Sequence, residues 1–464
     1  MLLDRYESDK HFERILKLTN EMDPVLAEID QLLEDDALYQ LIRHDLAKRF
    51  PRTEQTGRNS TPVEVVLRML AVKRLYGLSY EKTEYQVRDS LVLRQFCRVY
   101  LNGVPDDTTL VRWANLIQAA TLEKFNERLT ALATQLQVTR GRKLRTDGTV
   151  VETNIHPPSD SSLLADSVRV LGRTLSRAKA VLEEQTHLGR EVFRNRIRSV
   201  RRLARQVGEA MRKGGETAQT QGQAAYRRLV QATEVTIRQA EQVCAALQKQ
   251  GADEAQKLAE SLATFLPRAE QVVAQTVRRI FAGEQVPAQE KIVSIFEPHT
   301  AIIRRNKAHK PTEYGHKVWL DEVEGGIVTR WQVLEGNPSD KEQWEPSLEH
   351  HTQQFGRPPN QASADRGVYS SANEAIAQQK GVQRVILPKP GKKSEARKQH
   401  EKQRWFQQGR KWHAGVEGRI SVLKRRDGLD RCQDHAEKGF ARWVGWGVIA
   451  GNLHVIGQKV AARA

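Results

Sequence analysis

The chain has 464 residues, a formal net charge of +17 and a pI near 9.8. That length implies two or three domains, each with its own core, and so basic a balance points to a polyanionic partner, nucleic acid first, rather than to an acidic or neutral one. Three scattered cysteines (Cys97, Cys244, Cys432) exclude a disulfide framework and a CxxC metal site, and no apolar run is long enough to cross a membrane.

The N-terminus, MLLDRYESDK, lacks a charged-then-apolar leader pattern. A cytoplasmic protein with reduced thiols is expected, associated with the nucleoid if it binds DNA. Residues 1–135 read as a helical domain. TPVEVVLRMLAVKRLYG (61–77) starts on Thr-Pro, carries apolar residues at helical spacing and stops at Gly77. LSYEKTEYQVRD and SLVLRQFCRVY give two short helices, and the Asp/Thr cap in GVPDDTTLVRWANLI opens another. Short helices with tight turns suit a helix-turn-helix DNA reader and equally an ordinary helical bundle.

KLRTDGTVVET (143–153) reads as a strand. Residues 161–285 then turn Ala/Gln/Arg/Glu-rich, with Leu, Val and Ala at three- and four-residue steps. This stretch predicts four helices packed as antiparallel hairpins, with a break at KGGETAQTQGQ (213–223). Strand signals resume at KIVSIFE (291–297) and AIIRR (301–305). HKVWLDEV (316–323) and IVTRWQVLEG (327–336), joined through Gly-Gly, predict a hairpin. A helix follows over 341–356, a short strand in NQASADRG (360–367), a helix over 371–381, a strand over 382–389, and basic helix from about 394 to the C-terminal helix of 436–460.

Without the helical block, three strands are followed by alternating helices and strands. That order gives an α/β core of the ribonuclease-H-like kind, a mixed five-stranded sheet with flanking helices. The core spans 140–160 plus 286–464, and residues 161–285 are a helical insertion after its first strand. In such a core an acid in the first strand meets one at the end of the fourth, and a third can reach them from the last helix. Asp147, Asp365 and Glu417 hold those three addresses. Three carboxylates suit phosphodiester chemistry, which uses two hard divalent ions about 3.5–4 Å apart.

TDGTVVETNIHPPSDSSLL, KIVSIFEPHT, YGHKVWLDEV, SADRGVYS and GVEGRISVLKRRDGLDRC together resemble bacterial insertion-sequence transposases of the DDE type, in the ISNCY-like group. The resemblance runs from about residue 60 to 455. It implies a ribonuclease-H-like core, Mg²⁺ or Mn²⁺ as two ions held by Asp147, Asp365 and Glu417, and cutting and joining at transposon ends. It also implies double-stranded DNA as partner, both terminal inverted repeats and target, bound by a homo-oligomer. The family's Tyr-Arg-Glu-Lys pattern maps onto Arg410, His413, Glu417 and Lys424, so only the last two match. These four positions share a helical face. Arg410 and Lys424 are expected to hold phosphate, with His413 as an auxiliary.

PKPGKKSEARKQHEKQRWFQQGRKW (388–412) interleaves basic residues with Trp405, Phe406 and Trp412, a pattern for DNA backbone and an unstacked base. Arg404, Trp405 and Lys411 are the contacts expected there; a solvated linker and amphipathic helix is the plainer reading. Glu152 should face away from Asp147, Asp160 reads as a helix cap and Asp166 as an exposed helical residue. Asp321 is a weak alternative ligand, and His316 is a phosphate contact or a structural histidine. Two other functions remain open. One is a nuclease on the same core that hydrolyses without joining; the other is a non-catalytic DNA-binding protein derived from a transposase.

Overall fold

A computed structural model describes residues 2–7, 9–19, 22–50, 52, 59–182, 189–213, 215–304 and 310–463. The chain divides into two compact units: residues 1–154 with 316–464, and residues 155–315.

Among the described residues the first unit begins with eight helices: α1 (Lys10–Thr19), α2 (Pro24–Leu32), α3 (Asp36–Ala47), α4 (Val63–Leu75), α5 (Tyr80–Asp89), α6 (Leu91–Phe96), α7 (Asp107–Ala114) and α8 (Ala119–Gln135). Their starts follow local chemistry. Asp23, Asp35, Ser79, Ser90 and Asp106 each accept a backbone N–H of the first turn, and Pro24 sits where its missing N–H costs nothing. Strand β1 (Lys143–Glu152) follows.

The second unit holds α9 (Asp160–Leu182), α10 (Ile197–Lys213), α11 (Glu216–Leu247) and α12 (Asp253–Thr276), four long helices among the described residues. Their Leu, Val and Ala stripes bury against one another, with Leu171, Leu175, Ile237 and Leu262 in one cluster and Leu164, Val200, Leu229 and Val272 in another. Strand β2 (Ala301–Arg304) pairs antiparallel with Thr312–Gly315, the opening residues of β3 (Thr312–Val323).

KIVSIFE is not the strand its apolar alternation predicts. Ile292 and Ile295 are buried against the helices, and side chains take the backbone groups that a sheet partner would take. The Ile292 N–H donates to Gln275 Oε1 (3.0 Å), Gln275 Nε2 donates to the Ile292 carbonyl (3.2 Å), and Arg268 Nη1 donates to the Ile295 carbonyl (2.7 Å). Apolar spacing alone does not separate a strand from an irregular segment lying on helices.

The first unit resumes with β3 and β4 (Ile327–Leu334), antiparallel about the Gly325–Gly326 turn. Both glycines have positive φ, +94° and +81°, which an L side chain rarely adopts. Then come α13 (Trp344–Phe355), β5 (Gln361–Ser363), α14 (Ser371–Gln379), β6 (Arg384–Ile386), α15 (Glu395–Lys402), α16 (Arg404–Arg425) and α17 (Ala436–Ala461). The strands of this unit lie in the order β4–β3–β1–β5–β6, with β1–β5 and β5–β6 parallel. The sheet is therefore mixed, and the chain leaves β1 on one side to build β3 and β4, and on the other to build β5 and β6.

Helix α17 is apolar nearly all round because it is enclosed by other elements of the unit. Gly447, Gly451 and Gly457 on it meet Leu429, Leu423 and the Val25 carbonyl so closely that a Cβ would fall within 3 Å of each. A buried polar knot fixes these elements. Asn452 Nδ2 donates to Asn126 Oδ1 (2.8 Å) and to the Val328 carbonyl (2.7 Å), while its Oδ1 accepts from Val328 N (2.9 Å) and Arg419 Nη2 (3.3 Å). One side chain so ties α8, β4, α16 and α17 together. No helix among the described residues is long and apolar enough to cross a membrane.

Candidate functional site

The middle of β1 is the natural place to look, because β1 lies where the strand order reverses. Its parallel pairing with β5 sets Lys143 against Gln361, Leu144 against Ala362 and Arg145 against Ser363. Continued two residues, that register brings Asp147 level with Asp365 just past the end of β5.

Asp147 is half-buried and its Oδ1 accepts the N–H of Gly148 (2.7 Å). Asp365 is exposed at the mouth of the turn, where its Oδ1 accepts N–H groups from Gly367 (2.8 Å) and Val368 (3.3 Å). Crowding by the surrounding protein and then the charge of Asp340 hold its pKa above the ordinary value, opposed by the two N–H groups and by Lys317. Asp340 is a neighbour that the sequence reading missed. It lies before α13, and both its carboxylate and that of Asp365 flank Gly367: a Cβ there would lie 3.1 Å from Asp365 Oδ1 and 3.4 Å from Asp340 Oδ2. Asp340 also meets Lys317 Nζ (2.5 Å), a buried lysine of β3 that donates to the Pro338 carbonyl (3.1 Å) and packs beside Gly148.

Helix α16 is docked along β1 at two points. Near its middle, Arg145 donates to the carbonyl of Trp412 (2.6 Å), stacks on the Trp412 ring (4.9 Å) and lies against Gly415. Arg145 is itself held by Glu322 in a two-pronged pair (2.8 and 2.6 Å). Near the helix end, Lys424 donates to the carbonyl of Val150 (2.7 Å). Glu417 lies seven residues before Lys424, about 10.5 Å back along the helix. Three residues of strand cover about 10 Å, so Glu417 comes level with Asp147. It is exposed there.

The other residues expected on α16 divide by face. Arg404, Arg410 and Lys411 are exposed. His413 turns inward, with Ser363 Oγ 3.3 Å from its Nδ1; burial first, then the charge of Arg145, lower its pKa to about 4, so the ring is neutral at pH 7. Trp405 is half-buried, packed edge-on against His400 (5.3 Å) and Phe406 (5.6 Å). Part of the basic run is internally neutralised. Glu401 takes Lys393 and Arg397, and the resulting hydrogen bonds outweigh burial and lower its pKa to about 2. Lys392, Lys402, Arg404, Arg410 and Lys411 are exposed at the surface.

The remaining acids have structural surroundings. Asp321 is buried, accepting from Ser347 Oγ (2.7 Å) and Arg330 (3.3 Å). Glu152 joins the end of β1 to Arg431 (3.2 Å). Asp160 pairs with Arg279 (2.7 Å), and Asp166, only partly exposed, lies between His156 (2.8 Å) and Arg169 (2.6 Å). His316 packs on Phe440 at 4.7 Å. No group of three or more His, Cys, Asp or Glu side chains close enough to hold a metal ion occurs among the described residues.

Residues 13–116, less than a quarter of the chain, match the sequence profile of a transposase domain (DUF772). No curated protein and no solved structure matches the chain.

Proposed function

We propose that the chain is a DDE-type transposase with a ribonuclease-H-like core, which cuts DNA at insertion-sequence ends and joins the freed 3′-hydroxyls to target DNA. The observation that carries this reading is the parallel pairing of β1 with β5, whose register, continued two residues past Ser363, sets Asp365 level with Asp147, in a chain whose N-terminal part matches a transposase domain. The strand order β4–β3–β1–β5–β6 supports the core assignment, and the +17 charge supports DNA as partner.

Asp147, Asp365 and Glu417 would hold the divalent cations, Mg²⁺ or Mn²⁺. The donors fit hard ions in type, since all are carboxylates. The raised pKa of Asp365 fits as well, because a cation would offset both the crowding by the surrounding protein and the charge of Asp340. Three ligands are not gathered among the described residues, so substrate phosphate is expected to complete the set. When bound, the metal supplies activation of the attacking hydroxyl and stabilisation of the leaving oxygen. The chain's own contribution is placement. Arg145 and Lys424 hold α16 in register on β1, Asp147 and Asp365 are fixed by backbone N–H groups, and the exposed Arg404, Arg410 and Lys411 attract the DNA backbone. The neutral His413 braces α16 against β5.

The test is incubation with Mn²⁺ or Mg²⁺ and labelled DNA carrying the inverted repeats that flank the gene. Cleavage with strand-transfer products supports the reading, and Asp147→Asn or Asp365→Asn should lower both by at least about a thousandfold, as expected when a transition-state group is lost. Cleavage without joined products would make the protein a nuclease. Unchanged activity in Asp147→Asn would overturn the site.

A further inference from the structure

Among the four long helices of residues 155–315, α10 is the strongly basic one. It has six basic residues and one acidic residue, against four and two on α9, three and three on α11, and two and four on α12. The six are Arg198, Arg201, Arg202, Arg205, Arg212 and Lys213, and all are exposed. At about 100° per residue they fall within about 120° of arc, opposite the buried seam of Val200, Leu203 and Val207. That seam shares a core cluster with Leu164 of α9 and Leu229 of α11. Two glycines bring these neighbours close: a Cβ on Gly172 of α9 would lie 3.4 Å from Ile197 Cγ1, and one on Gly222 of α11 would lie 3.3 Å from Ala210 Cβ. The arginine face is therefore presented from a packed helix and not from a loose tail.

The chain does not neutralise this face. Arg198, Arg201, Arg202, Arg205 and Lys213 join no ion pair or side-chain hydrogen bond among the described residues, and Arg212 donates to the Gly208 carbonyl one turn back on its own helix (3.2 Å). The one acid on the face, Glu209, forms no ion pair with Arg205 or Lys213, four residues to either side, and Glu216, Glu234 and Glu241 of the paired helix α11 form none with any of the six. Arg198–Arg201, Arg198–Arg202, Arg201–Arg205 and Arg202–Arg205 stand at three- and four-residue spacing, where like charges destabilise a helix. Solubility needs no such crowding, since interspersed signs serve it and support the helix as well. The pattern works against the free helix and in favour of a polyanion.

We propose that this face of α10 binds duplex DNA along its phosphate backbone. Five of the six groups are arginines, whose planar fork can take two phosphate oxygens at once. The face has no aromatic or aliphatic anchor of the kind that centres a protein interface. The apolar side that a membrane would take is already buried in the bundle. Spacing fits a duplex: Arg198, Arg205 and Arg212 recur every two turns, about 10.5 Å apart, close to the ~12 Å width of the major groove, so successive arginines can reach phosphates on its two lips. Such contacts carry no sequence information, and the face would hold DNA of any sequence independently of the carboxylates. DNA as the polyanion rests on the function proposed above; the unneutralised face does not.

The experiment measures binding of the full chain to a fluorescent duplex of arbitrary sequence, without divalent metal. Wild type is compared with the triple variant Arg198→Gln, Arg202→Gln, Arg205→Gln. A control, Arg173→Gln, Arg177→Gln, Arg228→Gln, removes the same charge from exposed positions of α9 and α11. Glutamine keeps the helix propensity of arginine. The α10 triple should weaken binding by roughly ten- to a hundredfold at low salt, and the slope of log K against log salt should fall by about 2–3 as three phosphate contacts are lost. The control should weaken binding by less than about fivefold and keep its slope. Without DNA, the α10 triple should melt no lower than wild type, because all four like-charge pairs are relieved; a lower melting temperature would make the arginines part of the fold's own support and count against the proposal. Glu209→Gln should tighten binding by roughly two- to fivefold, the scale of one exposed charge pair, and serves if the triple does not fold. Equal weakening in the triple and the control would reduce the effect to net charge and overturn the proposal. An α10-dependent preference for duplex RNA over DNA of the same sequence would overturn DNA as the partner. Asp147→Asn should bind the duplex at least as tightly as wild type whether or not it cleaves, so failure of the catalytic reading shows in cleavage and failure of this one in binding.

Discussion

Arg145 offers the sharpest test of how the site is held. Its guanidinium spans Glu322, whose side chain is 1% exposed, and the Trp412 carbonyl of α16. Arg145→Met keeps most of the apolar stem and removes the charge. Glu322 is then left buried, with Arg419 as the remaining nearby cation among the described residues. Breaking a buried pair from one side costs about 3–5 kcal/mol. Burial already raises the Glu322 pKa, opposed chiefly by Arg145; without Arg145 it must rise further. A carboxyl with a raised folded pKa favours the folded state below its ordinary pKa of about 4.3, and loses that advantage as pH rises through the folded value. The Arg145→Met deficit is therefore largest at pH 8. Near pH 4.5 a protonated Glu322 removes the charge penalty, and about 1–2 kcal/mol of lost hydrogen bonding and stacking remains.

Tryptophan fluorescence reports this unit selectively, because all eight tryptophans lie within 1–154 and 316–464. In urea, a loss of about 3–5 kcal/mol lowers the midpoint by roughly 1–2 M for a slope near 3 kcal/mol/M. Arg145→Met with Glu322→Gln should recover part of the loss, since no charge is then stranded. A wild-type midpoint at pH 8, or a deficit equal at pH 8 and pH 4.5, would refute the account.

Gly409 should tolerate no side chain, because its Cβ would lie 2.5 Å from Ile386 Cγ1 where α16 crosses β6. Gly409→Ala is expected to cost about 1–3 kcal/mol, and Ile386→Val should relieve part of it; strictly additive urea midpoints would count against this contact. His413, with a folded pKa near 4 against about 6.5 unfolded, should contribute stability above pH 6.5 that is lost as pH falls towards 4. Its ring-proton NMR resonance should remain at the neutral position at pH 5.5, and His413→Gln should flatten part of the acid limb, which His350 and His351 share. A His413 that titrates near 6.5 would place the ring in solvent instead.

Much of this arrangement was legible where local chemistry decides structure. The β3–β4 hairpin follows from alternation and two glycines that need positive φ, and capping residues mark most helix starts. Asp147 was legible as an address because it sits on a recognisable strand, and Asp365 because it follows one by two residues. KIVSIFE was not, since Gln275 and Arg268 replace its sheet partners from seventeen or more residues away in the chain. His413 was half legible. Phe406, Gly409, Val416 and Leu423 mark the buried face of α16 at three- and seven-residue steps, and position 413 falls on that seam, while 410 and 417, one turn-fraction away, are exposed. A shared face of a helix is wide enough to hold a buried brace and two solvent-facing groups.

Asp340 shows where local reading ends. In NPSDKEQW it has the look of a turn residue, and the four-residue 3₁₀ turn it starts is ordinary. Nothing within ten residues gives it chemistry. Its place beside Asp365 comes from β4 handing the chain across to α13, and from Lys317, which faces the same side of β3 as Trp319, whose Nε1 donates to Ser347 on α13. The same dependence governs Glu417, whose level on β1 is set by Arg145 and Lys424 and not by its own neighbours. A site assembled in this way should fail when its anchors fail, even with every carboxylate intact. Arg145→Met should accordingly lose DNA cleavage at pH 8 while remaining folded in the absence of urea, and an active, folded Arg145→Met would mean that α16 finds its register by packing alone.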